Sequence, residues 1–167
     1  MNPIKATVYY LIAFFIQPIL INLFGIESSA ANLVLCVGLV MCLFYGDRDN
    51  AYIFVIAFIF ALLQDVMYSY YLGVNAAAII ISMLLVFVIK YFFNLENPIS
   101  ILILSAEGTI VYNLVIWIIY HFGGSPYSFL VYLKHLPYNY IFMVIAVGAC
   151  YFIMKKFRKK LKTDFLR

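Results

Sequence analysis

Long apolar runs that never settle into an alternating pattern follow one another through this chain, separated only by short polar breaks. A helix needs about 20 apolar residues to cross a bilayer, whereas a barrel strand needs only about ten with alternating polarity. The pattern therefore predicts helices in lipid, and the breaks predict six of them, over residues 7–26, 30–45, 51–71, 74–90, 99–120 and 137–154. Composition agrees. The chain is 67% hydrophobic and 11% charged, with a mean hydropathy of +1.05, where soluble domains run near half apolar and a quarter charged. There is too little polar surface to cover a water-soluble globule of this length. Abundant Ile, Val, Phe and Tyr would favour strands in water, but in lipid the length of the runs decides. The expected fold class is thus an all-α integral membrane protein, with residues 1–167 as one membrane domain and residues 155–167 as a basic tail.

The breaks have local logic. Pro18 is expected to kink the first span. Gly46, Asp47, Arg48, Asp49 and Asn50 form a turn that must lie at a membrane surface. Tyr68, Tyr70 and Tyr71 close the third span as interface residues, which places Asp65 just inside that interface. Gly73 breaks the helix before the fourth span. Ser125 and Pro126 read as the N-cap and first residue of a short interfacial helix, with the sixth span starting afresh at Pro137, and Lys155 onward is expected to stop it. Placing both termini in the cytoplasm puts Lys5, Arg48, Lys90 and the basic tail inside and leaves only Lys134 outside, as the distribution of positive charge in multi-pass proteins requires. The expected location is the plasma membrane. No cleaved leader is expected, because the first run is of full span length and lacks an Ala-x-Ala site.

Several function classes drop out. The net charge of +4 comes from the tail, since seven of the eleven basic residues follow Met154, so no nucleic-acid groove is expected. The tail can hold the topology, grip anionic lipid or bind a cytoplasmic partner. Cys36, Cys42 and Cys150 lie inside apolar runs without CxxC or histidine spacing and read as small buried hydrophobes. His121 and His135 flank the outer loop and read as surface residues. No nucleophile with a base, phosphate-cradling loop, HExxH or GxSx site occurs, so no enzyme, metal or cofactor is expected.

Asp65 and Glu107 are the two carboxylates inside apolar runs. A carboxylate at a helix centre costs about 2.5 to 3.5 kcal/mol, less near the interface. Either they line a substrate or proton path, or they make polar contacts that order helices. The second reading is preferred because no Lys, Arg or His inside the spans could relay protons. Small and polar residues mark two helix faces: Asn75, Ala78 and Ser82 on the fourth span, and Ser105, Gly108, Thr109, Tyr112 and Asn113 on the fifth. Glu107 lies about 160° around the helix from the latter face, so the fifth span is expected to be enclosed on two sides. Ala57 and Ala61 form a small-xxx-small pair for close helix approach.

The segment from Ala57 through Gln64 and Asp65, followed by Leu72, Gly73, Val74, Asn75 and Ala76, resembles the MreD family of bacterial rod shape-determining proteins, which shows a small-residue helix ending in Asp, a short linker and then Leu-Gly-x-Asn-Ala. Gln17, the entry Leu136, Pro137, Tyr138 and Asn139 into the last span, and the basic end extend the resemblance over nearly the whole chain. Departures are Ala31 and Asn32 where the family often has Pro-Asp, and Ala57 and Ala61 where it has glycines. The resemblance implies a non-enzymatic scaffold that regulates cell shape, binding the membrane-anchored MreC and working with MreB, RodA and a class B penicillin-binding protein in peptidoglycan synthesis. It also implies a six-helix fold similar to the S-components of energy-coupling-factor transporters. Partner-binding or buried polar candidates are Gln17, Gln64, Asp65, Gly73, Asn75, Glu107, Pro137 and Asn139. The rival is an S-component that captures a small vitamin, although the first span has only Ala6 and Ala13 and lacks the Ala-x-x-x-Ala docking signature. A third reading is a small proton-coupled transporter using Asp65 and Glu107. Pairing of two copies is left open.

Overall fold

A computed structural model describes residues 2–24, 32–46, 50–69, 71–92, 99–124 and 128–164. Six helices occur there: α1 (Pro3–Phe24), α2 (Leu33–Tyr45), α3 (Tyr52–Tyr68), α4 (Val74–Phe92), α5 (Ile99–Phe122) and α6 (Phe129–Asp164). No strand occurs among the described residues. Stretches of α1 (Pro3–Leu23), α5 (Ile99–Phe122) and α6 (Phe129–Phe157) are long and apolar enough to cross a membrane, while α2, α3 and α4 are shorter apolar helices. The outward faces are apolar as well: Phe15, Leu23, Val66 and Ile145 are all more than half exposed. Water would not tolerate such a continuous apolar surface, and the chain is a helical membrane protein.

The shortest helix is the centre of the bundle. Every residue of α2 from 34 to 43 is buried, and α2 packs against each of the other five helices. A helix that is apolar on all sides belongs inside other protein. Its 13 residues rise only about 20 Å, short of the roughly 30 Å hydrocarbon layer. The deficit is tolerable because both ends are satisfied internally. Asn32 caps the first turn, and at the other end Gly46 N–H donates to the Cys42 carbonyl at 2.9 Å while Lys90 Nζ donates to the Gly46 carbonyl at 3.4 Å.

Small residues set the helix spacing, as is usual where lipid provides no hydrophobic drive for association. A Cβ on Gly108 would lie 2.7 Å from both Leu39 Cδ1 and Met143 Cε, so α5 touches α2 and α6 at that point. Ala57 and Ala61 are fully buried on α3. The face Ser105, Gly108, Thr109, Tyr112 and Asn113 is buried throughout.

One expectation about the end of the chain is corrected. The helix does not begin afresh at Pro137: α6 runs from Phe129 through Pro137 to Asp164. Proline removes one backbone donor and disturbs one turn, and here the helix continues on both sides of it. Lys and Arg are good helix formers, so the charge ends the apolar stretch without ending the helix. The proposed cap at Ser125 and Pro126 lies outside the described residues. α1 likewise continues through Pro18.

Leu39 is fully buried and Leu84 is 49% exposed. Leu39→Ala is expected to lower unfolding stability in detergent by about 2–5 kcal/mol, and Leu84→Ala to leave it near wild type. Denaturation of the two purified variants measures the difference.

Candidate functional site

Five of the eight candidates, Gln17, Gln64, Asp65, Gly73 and Asn75, belong to one bonded layer around the point where α3 hands over to α4. Gly73 adopts φ +95°, a conformation open to glycine at little cost, and turns the chain so that the first residues of α4 face the end of α3. The first-turn N–H groups of any helix lack partners within it. Asp65 supplies them from the neighbouring helix. Its Oδ2 accepts from Gly73 N–H at 3.0 Å and Ala76 N–H at 3.1 Å, and its Oδ1 accepts from Asn75 N–H and from Asn75 Nδ2, both at 2.9 Å. The carboxylate is 1% exposed, yet it accepts four hydrogen bonds and sits at the positive end of a helix dipole. That offsets the cost of placing a charge in the bundle.

Asn75 carries the arrangement onward. Its Nδ2 also donates to Ser69 Oγ at 2.7 Å, and its Oδ1 accepts from the Tyr112 hydroxyl on α5. The Tyr112 oxygen accepts from Asn32 Nδ2 at 2.9 Å, and the same Asn32 nitrogen donates to Gln64 Oε1 at 2.9 Å. Asn32 Oδ1 caps α2 by accepting from Val34 N–H at 3.0 Å and Leu35 N–H at 3.2 Å. Gln64 Nε2 donates to Gln17 Oε1 at 2.8 Å, and that oxygen also accepts from Leu33 N–H at 3.1 Å. One polar layer thus joins α1, α2, α3, α4 and α5, and it caps both α2 and α4.

Gln17, Gln64, Asp65, Gly73 and Asn75 meet in this layer. Pro137 and Asn139 do not. Pro137 is exposed inside α6, and Asn139 is buried with its Oδ1 unpartnered among the described residues. Glu107 also stands apart: it is half-buried on α5, and neither carboxylate oxygen has a partner among the described residues. Asn32, Tyr112 and Ser69 belong to the layer although they were not site candidates. For Asn32 the signal was present, since an Asn immediately before an apolar run is a capping position.

The remaining titratable groups offer little chemistry. His121 is exposed and stacks on Trp117 with ring centroids 5.0 Å apart, His135 is exposed, and the described residues hold no cluster suited to a metal. Cys36 and Cys42 are buried, but Cys150 is only half-buried, which corrects the reading of all three as buried: it borders a groove. That groove, of about 1010 Å³, runs between α1 and α6 with Leu33 and Val37 of α2 at its floor. Its walls are almost wholly apolar, and Gln17 is the polar residue deep within it.

Comparison with known family models, curated proteins and solved structures gives no match. What the layer can do follows from its bonding alone. Asp65 has its acceptor capacity filled by four donors, so it acts as a clamp between helices.

Tyr112→Phe removes the hydroxyl that bridges Asn32 and Asn75. One donor and one acceptor are then buried without partners, so the variant is expected to lose about 1–3 kcal/mol with its helix content unchanged, as read by denaturant titration and circular dichroism.

Proposed function

We propose that this chain is a non-enzymatic scaffold subunit of a bacterial cell-elongation complex, with six membrane crossings and both termini in the cytoplasm, which binds an MreC-like membrane-anchored partner. In that reading RodA, a class B penicillin-binding protein and MreB belong to the same larger assembly, and the chain helps to organise peptidoglycan synthesis and cell shape. The observation that carries it is the convergence of the MreD-like residues. Gln17, Gln64, Asp65, Gly73 and Asn75 are spread over three helices and the turn before α4, yet they form one bonded unit joined through Asn32 and Tyr112. Such a layer fixes the relative positions of helices, which is what a scaffold requires. It leaves no base free for catalysis or proton relay at Asp65.

Capture of a vitamin-type substrate fits less well. A small polar ligand needs several protein groups that converge on open space, whereas the groups in this layer bond to one another. The groove between α1 and α6 is apolar and open along its side.

Co-expression with the MreC-like partner tests the proposal. The wild-type chain is expected to co-purify with it, and Asp65→Leu or Asn75→Leu to reduce recovery about tenfold or more, equivalent to about 1.4 kcal/mol. Cys36→Ala, which removes no partnered backbone or amide group, should recover near the wild-type amount. Failure of the wild-type pair to co-purify, together with normal cell shape after depletion, would remove the scaffold reading. Tight binding of a vitamin by the purified protein would put substrate capture in its place.

A further inference from the structure

We infer that the groove between α1 and α6 seats one transmembrane helix of a partner protein, and that the amide nitrogen of Gln17 is the polar group that recognises it; this rests on the scaffold reading above.

The first argument is one of length. The α1 wall extends from Ile4 to Ile21, which at about 1.5 Å per residue is roughly 26 Å, close to the roughly 30 Å hydrocarbon thickness. A lipid tail spans only one leaflet, about half that thickness, and is shorter than the α1 wall. The second concerns shape. Ala13, Ala146 and Ala149 line the groove, and small side chains let the backbone of an incoming helix approach closely. Towards its Lys5 end, Tyr9 and Phe157, which both line it, meet edge to face with centroids 6.4 Å apart and join its two walls.

The third argument selects the occupant. Gln17 is 4% exposed and lines the groove. Its Oε1 is held by Leu33 N–H and Gln64 Nε2, which fixes the orientation of the amide. Its Nε2 then carries two N–H groups with no partner among the described residues. An unmet amide donor in a hydrocarbon setting costs free energy. Acyl chains have no acceptor to offer at that depth. A helix with an Asn, Gln, Ser or Thr side chain, or a carbonyl freed at a helix break, does.

Photo-crosslinking in membranes that contain the co-expressed MreC-like single-span protein tests this seat. Benzoylphenylalanine placed at Ile16 or Ala149, within the groove, is expected to yield an adduct with the partner's span. The same probe at Phe58 or Ile81, which are 45% and 41% exposed elsewhere on the bundle, is expected to yield none. Gln17→Glu keeps the oxygen that accepts from Leu33 and Gln64 and replaces only the nitrogen facing the groove. It should reduce partner recovery about fivefold. Ala149→Trp, at an exposed position that fills the groove without touching the core, should reduce it at least about tenfold with the unfolding temperature unchanged. Partner adducts at Phe58 or Ile81 with none in the groove would overturn the inference while leaving the scaffold reading intact. Adducts of twice the chain's mass, or with lipid alone, at Ile16 and Ala149 would also overturn it. Absence of co-purification from the wild-type chain would remove both.

Discussion

A single carboxylate placed against the start of a neighbouring helix organises this bundle. Asp65 takes three backbone N–H groups and one side-chain amide from the residues that open α4. The first-turn N–H groups of a helix have no partner within it, so those that the bundle covers need an acceptor from another segment. The carboxylate in turn needs the donors. Neither would be stable there alone, and each fixes the other, which also sets the register of α3 against α4.

The same requirement explains why the central helix can be so short. α2 is covered by the other helices along its length, so the N–H groups of its first turn must be met by side chains or by other segments. Asn32 meets them at one end and is itself held by Gln64 and Tyr112. Polar side chains that would be a liability on a lipid-facing helix here hold α2 at a fixed depth, and the surrounding helices cover it. Depth and cover are linked, because a 13-residue helix facing lipid would leave its ends unsatisfied.

Much of the layer was legible in the sequence because its residues are rare exceptions in apolar runs. Asp65, Gly73 and Asn75 stand at a spacing that makes sense only if a helix ends, turns sharply and starts again, and the turn at Gly73 has the expected geometry. Gln17 and Gln64 could be picked out as polar, but their meeting depends on how α1 packs on α3, which no local pattern encodes. Tyr112 could be placed on a buried face, yet its hydroxyl partner lies 37 residues away. The end of the chain was misread for a different reason. Pro137 reads locally as the start of a new helix, and the helical segments on both sides override it. Helical spacing places Glu107 about 160° from the buried face of α5, whereas neither its half-burial nor its lack of a partner among the described residues follows from that spacing.

The layer also divides the bundle mechanically. It ties α1 through α5 together with directional bonds, while no hydrogen bond among the described residues runs from it to α6. That helix is held chiefly by side-chain packing: Met143 against Gly108, Cys36 Sγ at 3.5 Å from Met143 Sδ, and Tyr151 on Phe44 with centroids 5.1 Å apart. The Tyr132 hydroxyl donates to the Ile110 carbonyl at 3.0 Å near its start. Apolar contacts are non-directional and tolerate sliding better than a bonded network does. The wall of the groove formed by α1 is therefore tied to the layer through Gln17, whereas the wall formed by α6 rests on its packing against α5 and α2.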